Sequence, residues 1–382
     1  MNNFIYHNPT KVAFGKGSIA KLSVLLPDAK IMLVYGGGSI KNNGIYQQIL
    51  EQLEGRNWCE FSGIEPNPEY STLMKAVELA KQEEVEFILA VGGGSVIDGS
   101  KFIAAAAHYD GEPWEILASG GKVHSAIPLG CVLTLPATGT ETNSGSVVNR
   151  TDIGKKLSFL SDHVRPKFAV LDPEATYSLP ERQLANGVVD AFVHVMEQYL
   201  TYPIGASVQD RFAEAILSNL LEIGPQVLAS QDYQVRANLM WNATQALSGL
   251  IGAGVPQDWS THMIGHELTA LHNLDHAVTL AIVLPRVMHY QKEHKREKLL
   301  QYAERVWGLS RYDEEGAIDL AIEKTEQFFR DMGIKTKLSE YDISSEVANE
   351  VARKLEENGF TRLGEHQNIS PDDARKIVAA CM

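Results

Sequence analysis

Four residues of this chain could together bind a divalent metal ion: Asp190, His194, His262 and His276. Asp190 and His194 are four positions apart, so on a helix they project from one face, one turn apart. His262 and His276 open and close a second segment of the chain. One carboxylate and three imidazoles are a full set of protein ligands for Fe²⁺ or Zn²⁺. An Asp–His pair alone is commonly a surface hydrogen bond, but both segments here are apolar, which favours a buried metal site.

The tetrapeptide GGGS occurs twice, at 36–39 and at 92–95, each time directly after an apolar run typical of a strand. Glycines at the carboxyl end of a parallel strand let a phosphate approach the main chain, and the following helix N-terminus attracts the anion. Neither cluster matches G-x-G-x-x-G, because Ile97 occupies the place of the third glycine. One such cluster is as often a plain turn, but two in this setting indicate a dinucleotide site. Asp98 could be an ordinary helix-dipole residue, or it could bind the ribose or amide of a nicotinamide.

A third loop, 134–149, follows another apolar run and is rich in hydroxyl and amide side chains. These are Thr138, Thr140, Thr142, Asn143 and Ser144. Such a loop is usually a polar turn, but at the ligand edge of a parallel sheet a binding role is equally consistent with it.

The first glycine cluster also bears on the choice between NADPH and NADH. Sites selective for NADH generally place an Asp or Glu after an early strand, where it binds the ribose 2′-hydroxyl. The residues in that place here are Gly36, Gly37, Gly38, Ser39 and Lys41. No acid follows the strand until Glu51. Backbone amides, a hydroxyl and an ammonium group suit a 2′-phosphate, so the sequence predicts NADPH.

The elements that must position these residues change in character along the chain. Apolar runs at 30–35, 86–91, 127–136 and 168–172 predict buried strands, and helical patterns lie between them, one beginning at Ser95. Such alternation predicts a mostly parallel sheet. The predicted fold class is therefore α/β plus all-α. A Rossmann-like dinucleotide-binding domain spans residues 1–180, and an all-helical metal-binding catalytic domain spans residues 181–382.

Composition excludes several classes of protein. With 382 residues, 44% of them hydrophobic and 21% charged, the chain is typical of a globular protein, and its net charge of −14 disfavours nucleic acid and anionic membranes as partners. No apolar run is long enough to span a bilayer, and the start lacks the pattern of a signal peptide. Cys59, Cys131 and Cys381 are an odd, scattered set, which fits a reducing cytoplasm and offers no metal-binding spacing.

His266 and Glu267 begin an H-E-x-x-H motif, which is typical of zinc proteases, but the motif fails because its last position is Ala270.

Seven segments, spread over nearly the whole chain, resemble the iron-containing (group III) alcohol dehydrogenases, and most closely their NADPH-dependent, butanol-dehydrogenase-like aldehyde reductases. They are YGGGSIKNNG, GIEPNPEYSTL, AVGGGSVIDGSKFIAAA, LTLPATGTETNSG, VVDAFVHVMEQY, GVPQDWSTHMIGHELTALHNLDHAVTLAIVLP and LLQYAERVW.

The resemblance implies roles for individual residues. The family's metal ligands fall on Asp190, His194, His262 and His276, and its additional active-site histidine falls on His266. NAD(P) is expected in the cleft between the domains, with its nicotinamide near Asp98. The residues implied for its pyrophosphate and for the rest of its site are Gly93, Gly94, Ser95, Thr138, Thr140, Asn143 and Lys156. Family habit also implies a homodimer.

The resulting hypothesis is a reversible, metal-dependent reduction of short and medium aldehydes to primary alcohols with NADPH. The metal would polarise the carbonyl, and a proton would arrive through water, a ribose hydroxyl or His266, which could equally be a supporting or core histidine. One alternative is an NAD-dependent glycerol or diol dehydrogenase of the same superfamily. A cyclase acting on sugar phosphates would need basic residues around the metal, and the metal segments are nearly free of them. A binding protein or scaffold subunit without turnover would be expected to lack at least one of the metal-ligating residues, and none is missing here.

Overall fold

The computed structural model describes the whole chain, Met1–Met382, and it comprises two compact units. The α/β unit consists of His7–Pro180 and Gln231–Thr244. The helical unit consists of Met1–Tyr6, Glu181–Ser230 and Gln245–Met382. The domain limits 1–180 and 181–382 stay a prediction. The units differ from them in the first six residues and in the segment 231–244.

The strands are β1 Lys11–Phe14, β2 Ile31–Tyr35, β3 Trp58–Phe61, β4 Phe87–Gly93, β5 Leu129–Leu135, β6 Gly145–Arg150, β7 Lys155–Leu160 and β8 Phe168–Leu171. The helices are α1 Leu22–Leu25, α2 Ser39–Asn42, α3 Ile45–Leu53, α4 Tyr70–Gln82, α5 Gly94–Ala107, α6 Glu115–Ala118, α7 Glu181–Tyr199, α8 Ser207–Ala229, α9 Tyr233–Ala246, α10 Ser260–His272, α11 His276–Tyr290, α12 Arg296–Arg305, α13 Glu314–Asp331, α14 Val347–Glu357 and α15 Pro371–Ala379.

The α/β unit is built on a six-stranded, all-parallel sheet of order β1-β8-β5-β4-β2-β3. Its four inner strands, β2, β4, β5 and β8, are the four predicted from apolar runs, with limits that agree within two residues. These strands are buried along nearly their whole length, as strands covered on both faces must be. The predicted α/β plus all-α fold class is confirmed.

One face of this sheet forms a single apolar core with the helices that follow β1 and β2. Alternate residues of neighbouring strands lie side by side there: Leu33 of β2 is in register with Leu89 of β4, and both are fully buried. Ile40, Ile45 and Ile49 of α2 and α3 complete the core. This packing fixes where β2 ends, and therefore where the first glycine cluster lies.

Helix α5 begins at Gly94, one residue before the predicted start at Ser95, because β4 continues through Gly93 and the chain turns at once. Helix α5 is buried along most of its length and packs against β4 and α4. The second glycine cluster is therefore the turn between the carboxyl end of an inner strand and the N-terminus of a buried helix.

A two-stranded antiparallel hairpin of β6 and β7 was not predicted. Its first strand begins at Gly145, so the last residues of the predicted loop 134–149 form a strand. Its residues alternate between buried and less buried positions, and Asn149 of β6 is in register with Lys156 of β7. The hairpin packs against α5.

In the helical unit, α7 is the central element for the candidate site. It has 19 residues, of which all from Gly187 to Tyr199 are buried. Helix α7 packs against α8 and α11, and α10 packs against α11. No helix of the chain combines the length and the apolarity needed to cross a membrane.

Candidate metal centre and nucleotide loops

Helix α7 presents a row of side chains at intervals of four residues, so that each lies one turn beyond the last. The row consists of Arg182, Asn186, Asp190, His194 and Gln198. Asn186 Nδ2 donates to Asp275 Oδ2 at 2.9 Å, and Arg182 NH1 lies 3.0 Å from the same oxygen. Asp275 directly precedes α11, whose first residue is His276. The first two turns of the row thereby hold the start of α11 beside the turn that carries Asp190.

The middle of this row brings together the residues predicted as metal ligands. Ligand atoms of Asp190, His194 and His262 all lie within 4.8 Å of one another, and all three side chains are buried. His194 Nε2 and His262 Nε2 are 3.1 Å apart. His276 Nε2 lies 3.7 Å from Asp190 Oδ1, so the fourth predicted ligand adjoins the same cluster.

The protonation of His194 suits metal binding. Burial lowers the pKa of His194 to about 4, opposed by the neighbouring Asp190 carboxylate, so the imidazole is neutral at physiological pH. A neutral imidazole is the form that binds a metal. Asp190 Oδ1 is buried without a hydrogen-bond donor, and such an atom costs about 1–3 kcal/mol unless a partner satisfies it. A carboxylate oxygen and three imidazoles around this point fit Fe²⁺ or Zn²⁺.

A further carboxylate, which the sequence did not single out, contacts this cluster. Glu197 lies on α7 three residues beyond His194, and its Oε2 is hydrogen-bonded to His262 Nδ1. Its other oxygen, Oε1, accepts from the backbone N–H of Thr261 at 2.7 Å. Burial raises the pKa of Glu197 well above its ordinary value, and the backbone donor at Thr261 opposes that shift. His262 therefore has an acidic partner at Nδ1 and faces His194 with Nε2.

His266 belongs to the same group of aromatic rings. It lies on α10 one turn beyond His262, with ring centres 6.2 Å apart, and its ring centre is 5.3 Å from that of His276. His266 is buried, whereas His272 at the end of the helix is exposed. The backbone of Trp259, just before α10, has a φ of 63°, an uncommon conformation for a bulky residue, and its ring centre is 5.3 Å from that of His262.

In the α/β unit, the second glycine cluster and the hydroxyl-rich loop are in direct contact. A Cβ atom on Gly94 would lie 2.6 Å from Thr138 Oγ1, and one on Gly93 would lie 3.0 Å from Leu135 Cβ. A side chain on Gly94 would collide with Thr138, and one on Gly93 would require Leu135 to move slightly, so glycine suits this close approach. The first backbone amides of α5 have no partner within the helix, as at any helix N-terminus, and such groups suit a phosphate.

Asp98 joins α5 to the same loop and to the hairpin. Its Oδ1 accepts from Thr140 Oγ1, and its Oδ2 accepts from the backbone N–H of Val147 at 3.0 Å. Burial raises the pKa of Asp98, opposed by the charge of Lys101 and by these donors. Asp98 is therefore more than a helix-dipole residue, since both carboxylate oxygens are used in organising the loop.

Lys101 is the member of this network that the sequence did not reveal. Its ammonium is fully buried and donates to four oxygens: Thr140 Oγ1 at 2.6 Å, Gly145 O at 2.7 Å, and both Asn143 O and Asn143 Oδ1 at 3.0 Å. Burial lowers its pKa to about 8, and the Asp98 carboxylate opposes the shift. Thr140 and Asn143 thus shape the loop around Lys101.

Lys156 approaches the second glycine cluster through Asn67. Lys156 Nζ donates to Asn67 Oδ1 at 2.9 Å, and the Asn67 backbone N–H donates to Ser95 Oγ at 3.2 Å. Asn67 has a φ of 57°, in the left-handed region that asparagine tolerates better than most residues. The structure therefore brings Lys156 to the residues that begin α5.

The first glycine cluster adjoins the start of α5 as well, since a Cβ atom on Gly36 would lie 3.5 Å from Val96 Cγ2. Lys41 Nζ lies 5.1 Å from the ring centre of Tyr35 and 4.7 Å from that of Tyr46. The hydroxyls of both tyrosines donate to Glu60 Oε2, Tyr46 at 2.7 Å and Tyr35 at 3.3 Å. An acid is therefore present near Lys41 after all. It comes from the neighbouring strand β3 and not from the residues that follow β2.

Two family models together match nearly the whole chain. A model of the iron-containing alcohol dehydrogenase family matches residues 9–173, and a model of the C-terminal part of the Fe-containing family matches residues 184–381. The chain belongs to the iron-containing alcohol dehydrogenases. The predicted resemblance is confirmed, and with it the prediction of a metal-binding oxidoreductase of the alcohol dehydrogenase type.

Individual members of the family are similar over their full length. The NADPH-dependent aldehyde reductase YqhD of Escherichia coli is 57% identical over 385 residues, covering 100% of both chains. A crystal structure of E. coli YqhD has a TM-score of 0.99, with 56% identity over 100% of this chain and 99% of that one. A probable NADH-dependent butanol dehydrogenase of Bacillus subtilis is 39% identical, again over 100% of both chains. Relatives with either coenzyme therefore share the whole architecture.

Proposed function

We propose that this protein is a metal-dependent, NADPH-dependent aldehyde reductase that converts short and medium aldehydes reversibly to primary alcohols. The observation that carries the proposal is the buried convergence of Asp190, His194 and His262 within 4.8 Å, with His276 adjoining. The 57% identity to an NADPH-dependent aldehyde reductase supports the substrate class and the coenzyme.

In this proposal, Asp190, His194, His262 and His276 hold one divalent cation, Fe²⁺ or Zn²⁺. When bound, the cation would polarise the aldehyde carbonyl and the nicotinamide would supply hydride to its carbon. Asp190, His194 and His262 are buried, and burial strengthens the electrostatic effect of a bound cation. The segments that carry the ligands are nearly free of Lys and Arg, so a small neutral substrate is expected.

His266 is our candidate for the residue that supplies the proton. It is buried beside His276 and is not one of the four proposed ligands, which places an imidazole able to donate a proton next to the proposed metal site. Water or a ribose hydroxyl could serve instead. His266→Phe removes both nitrogens and keeps an aromatic ring: a proton-transfer role predicts a fall in kcat with unchanged metal content, whereas a packing role predicts lower stability with kcat retained.

We propose that the nucleotide is held by the glycine clusters and the loop that adjoins the second of them. The residues are Gly36, Gly37, Gly38, Ser39, Lys41, Gly93, Gly94, Ser95, Asp98, Thr138, Thr140, Asn143 and Lys156. Backbone amides at Gly93, Gly94 and Ser95 would bind the pyrophosphate. Lys41 and Ser39 would bind the 2′-phosphate that distinguishes NADPH.

We also propose that the enzyme is a cytoplasmic homodimer. Support for self-association comes from apolar side chains exposed in the helical unit, among them Ile5 at 97%, Val208 at 61% and Phe212 at 46% of their maximum. All three cysteines are free thiols, which fits a reducing compartment. Light scattering of the purified protein tests the assembly, and a mass near the 42.1 kDa of one chain would contradict it.

The deciding experiment combines metal analysis with a substrate series. We expect about one Fe²⁺ or Zn²⁺ per chain, loss of turnover on chelation with NADPH binding retained, and reduction of aldehydes of graded length. Acidic and phosphorylated aldehydes should be poor substrates. A strong preference for glycerol or another diol with NAD⁺ would favour a glycerol-type dehydrogenase, and preference for a sugar phosphate would favour a cyclase.

A further inference from the structure

Glu197 has a contact that none of the proposed ligand roles explains. Its side chain is fully enclosed in the helical unit, and its two carboxylate oxygens have different partners. Oε1 accepts from the Thr261 backbone N–H at 2.7 Å, whereas Oε2 meets His262 Nδ1. A buried carboxylate is costly unless it is paired, so a chain that keeps one here gains something from it.

The contact with His262 has a specific chemical consequence. A neutral imidazole carries one proton, and the partner of one ring nitrogen decides which nitrogen holds it. When Nε2 holds a cation the ring proton must be on Nδ1, and Glu197 Oε2 is placed to accept a hydrogen bond from it. That Nε2 atom lies 3.1 Å from His194 Nε2, inside the cluster of proposed ligands. Glu197 therefore aims the lone pair of His262 at the point where the other donors converge.

A purely structural role must be distinguished from this one. Glu197 also stabilises the start of α10, through Oε1 and Thr261, and its backbone carbonyl accepts from the Asp258 N–H at 2.8 Å. These contacts would order the segment whether or not a metal binds. Because the backbone carbonyl and Oε1 serve the helix while Oε2 serves His262, a substitution that alters only Oε2 separates the two roles.

We propose that Glu197 is a positioning residue for the metal, which holds His262 in the Nδ1-protonated form and thereby raises the affinity of the site for its cation. The inference rests on the proposed metal site. Partners of this kind typically contribute about 10-fold to 100-fold to metal affinity.

Glu197→Gln is the informative substitution. A glutamine oxygen can still accept from Thr261, but its amide NH₂ would face His262 Nδ1 and require that nitrogen to accept. The proton would then move to Nε2 and block the lone pair. The matched control is Glu214→Gln, which neutralises another buried carboxylate of the same unit, one bonded to Tyr199 and Gln301 and not to any proposed ligand.

The test is the dissociation constant for Zn²⁺, measured by competition with a chromophoric chelator on the full-length protein. We expect Glu197→Gln to weaken binding about 10-fold to 100-fold and Glu214→Gln to leave it within about twofold. Turnover of Glu197→Gln should recover in excess metal. If the wild type bound Zn²⁺ tightly and Glu197→Gln bound it equally well, the role of Glu197 would be refuted, but the proposed metal site would still be supported. If the wild type bound no cation, both the role of Glu197 and the metal site would be refuted.

A second measurement keeps the inference testable if Glu197→Gln does not fold. In wild-type protein loaded with Zn²⁺ and labelled with ¹⁵N at histidine, the ring nitrogens of His262 can be assigned by comparison with His262→Gln. We expect Nδ1 to carry the proton and Nε2 to be the metal-bound nitrogen. The reverse assignment would overturn the proposal.

Discussion

Coenzyme preference can be tested at a single residue of the first glycine cluster. A Cβ atom on Gly37 meets nothing within 4 Å, and the residue is exposed. On Gly36 the same atom would lie 3.2 Å from the carbonyl oxygen of Ile64, and Gly38 has a φ of 95°, where a side chain is strained. Gly37→Asp therefore introduces a carboxylate with little structural cost, whereas Gly36→Asp should also lower the melting temperature.

The expected size of the effect follows from electrostatics. A carboxylate about 5 Å from the 2′-phosphate would raise the energy of bound NADPH by roughly 3 kcal/mol per unit charge at an effective dielectric constant of about 20. Such a change corresponds to about a 100-fold lower kcat/KM for NADPH. A new hydrogen bond to the ribose 2′-hydroxyl of NADH contributes about 1 kcal/mol, or roughly fivefold. The preference should thus move by between two and three orders of magnitude, and less at high salt.

Steady-state kinetics with both coenzymes, on the wild type and on Gly37→Asp, measure this shift. Gly37→Asn is the matched control, since it has the same shape without the charge and should keep NADPH as the better coenzyme. If Gly37→Asp retained the wild-type ratio of kcat/KM, the 2′-phosphate would not lie at this loop. A wild type that prefers NADH would contradict the interpretation of the whole cluster.

Three other substitutions probe the remaining parts of the site. His276→Ala should lower metal content and reduce turnover at least about 100-fold with little change in NADPH binding, and near-normal values of both would exclude His276 as a ligand. Lys101→Met should cost about 3–5 kcal/mol of stability and raise the KM for NADPH, because four acceptors lose their donor, and metal content measured alongside should not change. The pKa of His194 is about 4 in the folded protein and 6.5 in the unfolded chain, so protonation favours the unfolded chain as pH falls from 6.5 towards 4. The free energy of unfolding of the metal-free wild type should therefore fall by up to about 3 kcal/mol over that range. Its melting temperature should fall more steeply with pH than that of His194→Gln, and parallel plots of melting temperature against pH would refute the lowered pKa of His194.

The inner strands could be predicted from the sequence because burial on both faces demands a continuous apolar run. The edge strands β1 and β3 could not, since KVAF and WCEF are only partly buried and show no such run. The hairpin of β6 and β7 was missed for a related reason. Its strands alternate between buried and less buried residues and adjoin a polar loop, so its sequence resembles that of an extended turn. Local sequence patterns thus predict strands that are buried on both faces and miss strands that are partly exposed to solvent.

In the candidate site, helical spacing was enough to place Asp190 and His194 on one face, since that relation is local. The partners that tune the site are not local. Glu197 meets a histidine 65 positions further along, and Lys101 donates to Asn143, 42 positions away. Glu60 reaches the tyrosines from an adjacent strand. Tertiary packing creates these contacts, and a single sequence carries no periodic signal for them.

The division of the chain into two units has an evolutionary consequence. All four proposed metal ligands belong to the helical unit, and all the proposed phosphate contacts belong to the α/β unit. Mutations that alter coenzyme choice can therefore accumulate without passing through variants that lose the metal, and changes in metal selectivity need not disturb the coenzyme. Such independent change is consistent with the two relatives, of which one, at 57% identity, is named for NADPH and the other, at 39% identity, is named for NADH.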